Sequence, residues 1–149
     1  MTDINTDEYF MGEALKQAKL SYSKDEVPIG AIVVYQNKII AKAHNLSITN
    51  HDPSAHAEII AIRNAGKYLK NYRLLNCNIY VTLEPCLMCL STIFNSRIKN
   101  LFFGAYDSKK IACESIVNLK NNISLNHHCS IHGGILEQKS KALLQDFFK

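Results

Sequence analysis

Ile29-Gly30-Ala31-Ile32-Val33-Val34-Tyr35-Gln36-Asn37-Lys38-Ile39-Ile40-Ala41-Lys42-Ala43 is the stretch that decides the fold. Residues 29–35 are short, apolar and rich in β-branched side chains, the composition of a buried strand. Gln36-Asn37 has turn chemistry, and Lys38–Ala43 returns as a second strand, so the stretch reads as a β-hairpin. Before it, Phe10, Met11, Ala14, Leu15 and Ala18 recur at helical spacing, which predicts a helix over 7–22. After it, residues 50–54 (Asn, His, Asp, Pro, Ser) form a turn, with Ser54 placed as the N-cap of a helix running from Ala55 to about Leu69.

The alternation continues. Asn78–Leu83 predicts a third strand. Pro85 fits the first turn of a helix reaching about Asn95. Ile98–Phe103 predicts a fourth strand closed by Gly104. Residues 106–126 are polar and irregular apart from Ile116–Leu119. His128–Ile131 predicts a fifth strand, broken by Gly133-Gly134, and Leu136, Leu143, Leu144, Phe147 and Phe148 mark one face of a terminal helix. Helices and strands in alternation imply a layered α/β domain.

The totals fit that reading. The chain has 149 residues, 47% hydrophobic and 20% charged, enough for one domain and too few for a useful second one. No apolar run approaches the ~20 residues that span a bilayer, and the acidic residues in the first twenty positions are wrong for a secretory signal, so a cytoplasmic location without a membrane partner is expected. Five cysteines, an odd number, argue against a disulfide framework and leave thiols for metal. The net charge of +4 permits an anionic partner such as RNA without requiring one.

Two short motifs carry chemistry. His56-Ala57-Glu58 and Pro85-Cys86-Leu87-Met88-Cys89 each stand at a predicted helix start. Cys86 and Cys89, three apart, share a helix face and form half a zinc site. His56 supplies a third ligand of compatible softness. Three protein ligands leave one tetrahedral position open, the arrangement of a catalytic zinc rather than a structural one. A helix N-terminus carries about half a positive charge, which favours thiolates there. Glu58, two residues beyond His56, points to another side of the helix and is placed for proton transfer rather than ligation. Either motif alone is weak; His-x-Glu followed by Pro-Cys-x-x-Cys is the established signature of zinc deaminases. Cys77 begins a strand and reads as core, and Cys113 and Cys129 have no partner at ligand spacing. His44 is expected to end a strand, and His127, His128 and His132 read as structural or substrate-facing.

Beyond these motifs the chain resembles the bacterial tRNA-specific adenosine deaminases of the TadA type, within the cytidine deaminase-like superfamily. The segments that carry the resemblance are Glu26–Ala31, Asn45, His51–Ile59, Asn71–Leu74, Tyr80–Cys86, Met88-Cys89, Ser96–Ile98, Phe103–Ala105, Asp107, Asn126-His127, Gly134–Leu136 and Leu143–Phe148. It implies a three-layer α/β/α cytidine deaminase-like fold with a central five-stranded mixed sheet, as a single deaminase domain over 1–149. It implies one Zn2+ per subunit, a homodimer, and a tRNA anticodon stem-loop as partner. The implied reaction is adenosine to inosine at the wobble position, usually of an arginine tRNA, with the target base taken out of the loop into a pocket. In that resemblance Glu58 moves protons to the ring and to the leaving ammonia. Asn45 matches a hydrogen-bonding contact to the base, and Ile29 and Ala57 match pocket walls. Asp107 matches a contact to the neighbouring nucleotide, His51 lies near the bound strand, and Phe147 belongs to the terminal helix that marks the tRNA branch. Where the family has a glycine-rich run after Asp107, this chain has Ile111 and Glu114 in place of two glycines, which changes the loop if either glycine used positive φ. Two other readings use the same motifs: a free-base or nucleoside deaminase acting on guanine or cytosine, and a non-catalytic zinc module that binds RNA.

Overall fold

The computed structural model describes residues 4–107 and 129–149. The described elements run α1 (Ile4–Ser23), β1 (Gly30–Tyr35), β2 (Lys38–His44), α2 (Ala57–Leu69), β3 (Cys77–Leu83), α3 (Leu87–Asn95), β4 (Asn100–Ala105), β5 (Ser130–His132) and α4 (Glu137–Phe147). The strands form one sheet in the order β2-β1-β3-β4-β5. β1 is antiparallel to both β2 and β3, whereas β3, β4 and β5 are parallel. The sheet is therefore mixed and five-stranded, as expected.

The hairpin closes as the sequence predicts. Gln36 (φ 51°) and Asn37 (φ 61°) both adopt positive φ, the two-residue turn whose twist matches that of paired strands. Both faces of the sheet are covered, because alternate residues of each central strand enter different cores. Ala31, Val33, Ile79, Val81, Leu101 and Phe103 pack against α2 and α3, through residues such as Ala57, Ala61, Leu90 and Ile93. Ile32, Val34, Tyr80 and Phe102 pack on the other side against Phe10, Met11 and Ala14 of α1. A strand buried on both sides reads as an unbroken apolar run, which is what 29–35 shows. The result is a three-layer α/β/α fold.

Several boundaries differ from expectation. Ser54 is not the N-cap of α2: its N–H and hydroxyl both bond Asp52 Oδ1, at 2.9 and 2.8 Å, so it belongs to the preceding turn. The helix begins two residues later, with His56 as N-cap. Pro85 lies before α3, whose N-cap is Cys86. β4 is shifted to Asn100–Ala105, and Gly104 is inside the strand rather than its end. A Cβ on Gly104 would run into the Ser140 hydroxyl of α4, so the glycine admits the helix instead of stopping the strand. β5 is shifted to Ser130–His132. Ile111, Cys113, Glu114, Ile116–Leu119, Asn126, His127 and His128 lie outside the described residues.

α1 is pressed against β1 at Gly30. A Cβ there would collide with the Ala14 carbonyl oxygen and come within 2.6 Å of Ala18 N. Gly30→Ala is therefore expected to destabilise the protein by about 1–3 kcal/mol or more, read as a lower urea midpoint with unchanged m-value.

The loop from β2 to α2 is tied down by Glu26, which is almost fully buried. Its carboxylate accepts from Ile48 N (3.2 Å), Thr49 N (2.6 Å) and the Thr49 hydroxyl (2.7 Å). Burial raises its pKa, but these donors outweigh burial and leave it below the ordinary carboxylate value. The stability so contributed is complete above the unfolded-chain value near 4.3 and is lost as pH falls through the lower folded value. Glu26→Gln is expected to cost about 1–3 kcal/mol at pH 7. The gap to wild type should shrink below about pH 4 in parallel urea titrations.

Candidate active site

The antiparallel β1–β3 pairing and the parallel β3–β4 pairing bring one set of chain ends to one edge of the sheet. The start of β1, the ends of β2, β3 and β4, and the N-termini of α2 and α3 all lie there. The carboxyl ends of parallel strands are the usual place for ligands in such sheets.

His56 and Cys86 are the N-caps of α2 and α3, both with extended backbone (φ/ψ −76°/153° and −71°/171°). Neither side chain caps its own helix. They turn toward each other instead: His56 Nδ1 lies 3.6 Å from Cys86 Sγ and 3.4 Å from Cys89 Sγ. Zn–N bonds of about 2.0–2.1 Å and Zn–S bonds of about 2.3 Å at a tetrahedral angle put nitrogen and sulfur about 3.5 Å apart. All three donor atoms lie within 4.8 Å of one another. The set fits one zinc ion and leaves a fourth position to a ligand.

Glu58 follows two positions after His56, on the second residue of α2, and is buried. It is not part of the three-donor group. Burial, its largest influence, pushes its carboxyl up to about 7, and the Cys89 thiol hydrogen-bonds to it. The Cys86 thiol is pushed down to about 4, chiefly by the hydrogen bond from Cys89 and further by His56. His56 is raised, chiefly by its contact with Cys86. A carboxyl whose burial favours its protonated form thus sits beside a thiolate-stabilising corner, and its helix neighbours Ala57 and Ile59 are also buried.

Asn45 stands immediately beyond β2 and is buried. Its Oδ1 accepts the Ala57 N–H at 2.8 Å, so Asn45 caps the helix that His56 does not. That bond fixes the amide orientation, since a backbone N–H needs an oxygen partner. Ile29 is joined to this corner through its carbonyl oxygen, which accepts Asn45 N–H at 3.1 Å. Hydrogen bonds thus link Ile29 to Asn45 and Asn45 to Ala57, next in the chain to the donor His56.

Three expected residues sit farther out. Asp107 is half-buried, and its N–H donates to Glu84 Oε1 at 2.8 Å. It borders a groove of about 580 Å3 whose other walls include Leu83, Tyr106, Lys141, Leu144 and Phe148. Phe147 does not line this groove. Adjacent helical residues face different ways, and its ring packs edge-on against Tyr22 of α1 at 5.5 Å, while Phe148 takes the groove. His51 is exposed with φ 50° in the loop before α2 and is not one of the three clustered donors.

Sequence reasoning passed over four buried polar residues at this edge. Glu84 holds the backbone of Asp107. The Thr82 hydroxyl accepts Gly30 N–H at 3.1 Å. Glu26 holds the loop that bears His51, and His44 contacts Asn45. A carboxylate placed between an apolar strand and a proline, as Glu84 is, was the available signal.

No helix among the described residues is long and apolar enough to cross a membrane. Residues 4–105 match the family model of the cytidine and deoxycytidylate deaminase zinc-binding region, a span containing His56, Glu58, Cys86 and Cys89. A tRNA-specific adenosine deaminase of Buchnera aphidicola subsp. Baizongia pistaciae is 48% identical over 148 residues, covering 97% of this chain and 90% of that protein. The tRNA-specific adenosine deaminase of Bacillus subtilis is 42% identical, covering 98% and 91%. A solved structure from work on A-to-I editing by tRNA:A34 deaminases at the wobble position of transfer RNA is 40% identical. It superimposes with a TM-score of 0.85 over 91% of this chain and 99% of that one. Likeness of this extent, running through the donor triad and on to the terminal helix, shows that the chain belongs to the tRNA-specific adenosine deaminases, within the zinc-binding cytidine and deoxycytidylate deaminase family.

Proposed function

We propose that this protein, as a single deaminase domain over 1–149, converts adenosine to inosine at the wobble position of a tRNA anticodon. The preferred substrate is an arginine tRNA, in the cytoplasm, and the working form is a homodimer with one zinc per subunit. The donor triad across two helix N-termini with buried Glu58 beside it carries the deaminase chemistry, and the likeness to tRNA-specific adenosine deaminases over nearly the whole chain supports the tRNA substrate. His56, Cys86 and Cys89 hold the metal. Zinc in such a site supplies Lewis acidity that takes the pKa of water from 15.7 to about 7.

The protein's own part is proton movement and placement. Adenosine and water give inosine and ammonia: a C6–O bond forms and the C6–N bond breaks. Glu58 takes up the proton that water gives up, delivers it to the purine ring, and serves again as ammonia leaves. Asn45 Oδ1 is committed to Ala57 N–H, so its amide nitrogen is the group offered to the base, as a donor to a purine ring nitrogen. Ile29 and Ala57 form walls of the pocket, and Asp107 and His51 meet the flanking nucleotides. Phe147 acts indirectly, by seating α4 so that Phe148 borders the groove. An anionic partner is further supported by a second groove of about 600 Å3 along α2, which carries Arg63, Lys67 and Lys70.

Glu58→Ala is expected to retain stoichiometric zinc and the wild-type circular dichroism spectrum while losing at least about two orders of magnitude in turnover. Unchanged turnover would remove Glu58 from the mechanism and favour a zinc module without chemistry. The substrate is tested by incubating the protein with an arginine-tRNA anticodon stem-loop, scoring inosine by nucleoside chromatography, and measuring metal in the same sample. Inosine at the wobble position with zinc near one per subunit is expected. Free deamination of guanine or cytosine with the stem-loop left intact would overturn the assignment.

A further inference from the structure

We infer that His44, backed by Lys24, is a positioning residue for Asn45 and through it for the substrate base; the inference rests on the reading of Asn45 as a base contact. The last register pair between β1 and β2 is Gly30 with His44. Asn45 is the first residue beyond it, where the chain leaves the sheet for the loop to α2. Its place must be set by other bonds.

Those bonds are present at each of its other polar groups. The Asn45 N–H donates to the Ile29 carbonyl at 3.1 Å. Its own carbonyl accepts from Ser21 Oγ at 3.0 Å and from His44 Nδ1 at 3.1 Å. Its side-chain oxygen accepts from Ala57 N–H at 2.8 Å. Among the described residues these bonds leave only the amide nitrogen of Asn45 to meet a ligand.

The His44 ring is oriented by chemistry as well as packing. A carbonyl oxygen only accepts, so Nδ1 carries the hydrogen. Nε2 is then an acceptor, and Lys24 Nζ, which only donates, lies 3.3 Å from it. The chain Lys24 to His44 to Asn45 runs in one direction and selects one tautomer. A hydrocarbon ring of similar size would fill the same space without gripping the Asn45 carbonyl. A displacement of about 1 Å at a substrate-holding group is enough to cost up to 10²-fold in rate.

The test measures kcat and KM on the anticodon stem-loop, with zinc content and thermal midpoint for each variant. His44→Leu is expected to lower kcat about tenfold or more with zinc retained. His44→Asn, whose amide returns a donor near the Nδ1 position, is expected to recover most of it. Lys24→Met is expected to lower kcat by a smaller factor, and the double variant His44→Leu/Lys24→Met to be no worse than His44→Leu alone, because Lys24 acts through His44. Losses that multiply in the double variant would overturn the inference. So would wild-type kcat in His44→Leu alongside an impaired Asn45→Ala. If Asn45→Ala itself turns over normally, the base-contact reading falls and this inference with it. Should His44→Leu fail to fold, Lys24→Met decides, since Lys24 is exposed, and wild-type kcat there would overturn the proposal.

Discussion

Two thiols and an imidazole from separate helices have to be crowded into a volume where each would repel or dehydrate the others. The fold meets this by making His56 and Cys86 the N-caps of adjacent helices on one face of the sheet. Each helix start contributes a partial positive charge of about half a unit and a set of N–H groups, which offsets the burial of thiolate. The cost is that neither N-cap side chain remains to cap its helix. For α2 the first N–H is instead satisfied from the residue just beyond β2, by Asn45. Donor geometry, helix termination and strand termination are thereby one coupled problem, solved at one edge of the sheet.

Most buried polar side chains of the described residues share that edge. Ser21, Glu26, His44, Asn45, Glu58, Thr82 and Glu84 are all buried, and their hydrogen bonds run largely to backbone groups of segments leaving the sheet. Burying a polar group is unfavourable unless it is paired. A concentration of paired groups at one end therefore marks where the chain needs fixed loops rather than merely a filled core. The opposite hairpin end, with Gln36 and Asn37 exposed, has no such investment.

The sheet and the donor triad were legible in the sequence for different reasons. The strands were legible because both faces are buried, which leaves unbroken apolar runs at 30–35 and 79–81. The triad was legible because metal chemistry restricts residue type and helical geometry restricts spacing, so His56, Cys86, Cys89 and Glu58 stand out from four letters. Boundaries slipped by two residues where a local bond competed with the obvious signal, as Asp52 does for Ser54. Gly104 misled because a glycine that admits a neighbouring helix looks the same as one that ends a strand. Glu26, Thr82 and Glu84 were missed because their partners lie 22 to 52 positions away along the chain, and periodicity carries no record of such pairs.

The zinc donors are silent about what the metal will meet, and the architecture explains why. They stand on α2 and α3, whereas the groove beside Asp107 is walled by α4. α4 is held in place by contacts remote from the metal: Ser140 against Gly104, Phe147 against Tyr22, and the Tyr22 hydroxyl donating to the Asp146 carboxylate at 2.6 Å. None of these contacts involves His56, Cys86 or Cys89. The donor triad and this wall of the groove are thus supplied by different elements, so the metal motif by itself does not fix what the groove admits.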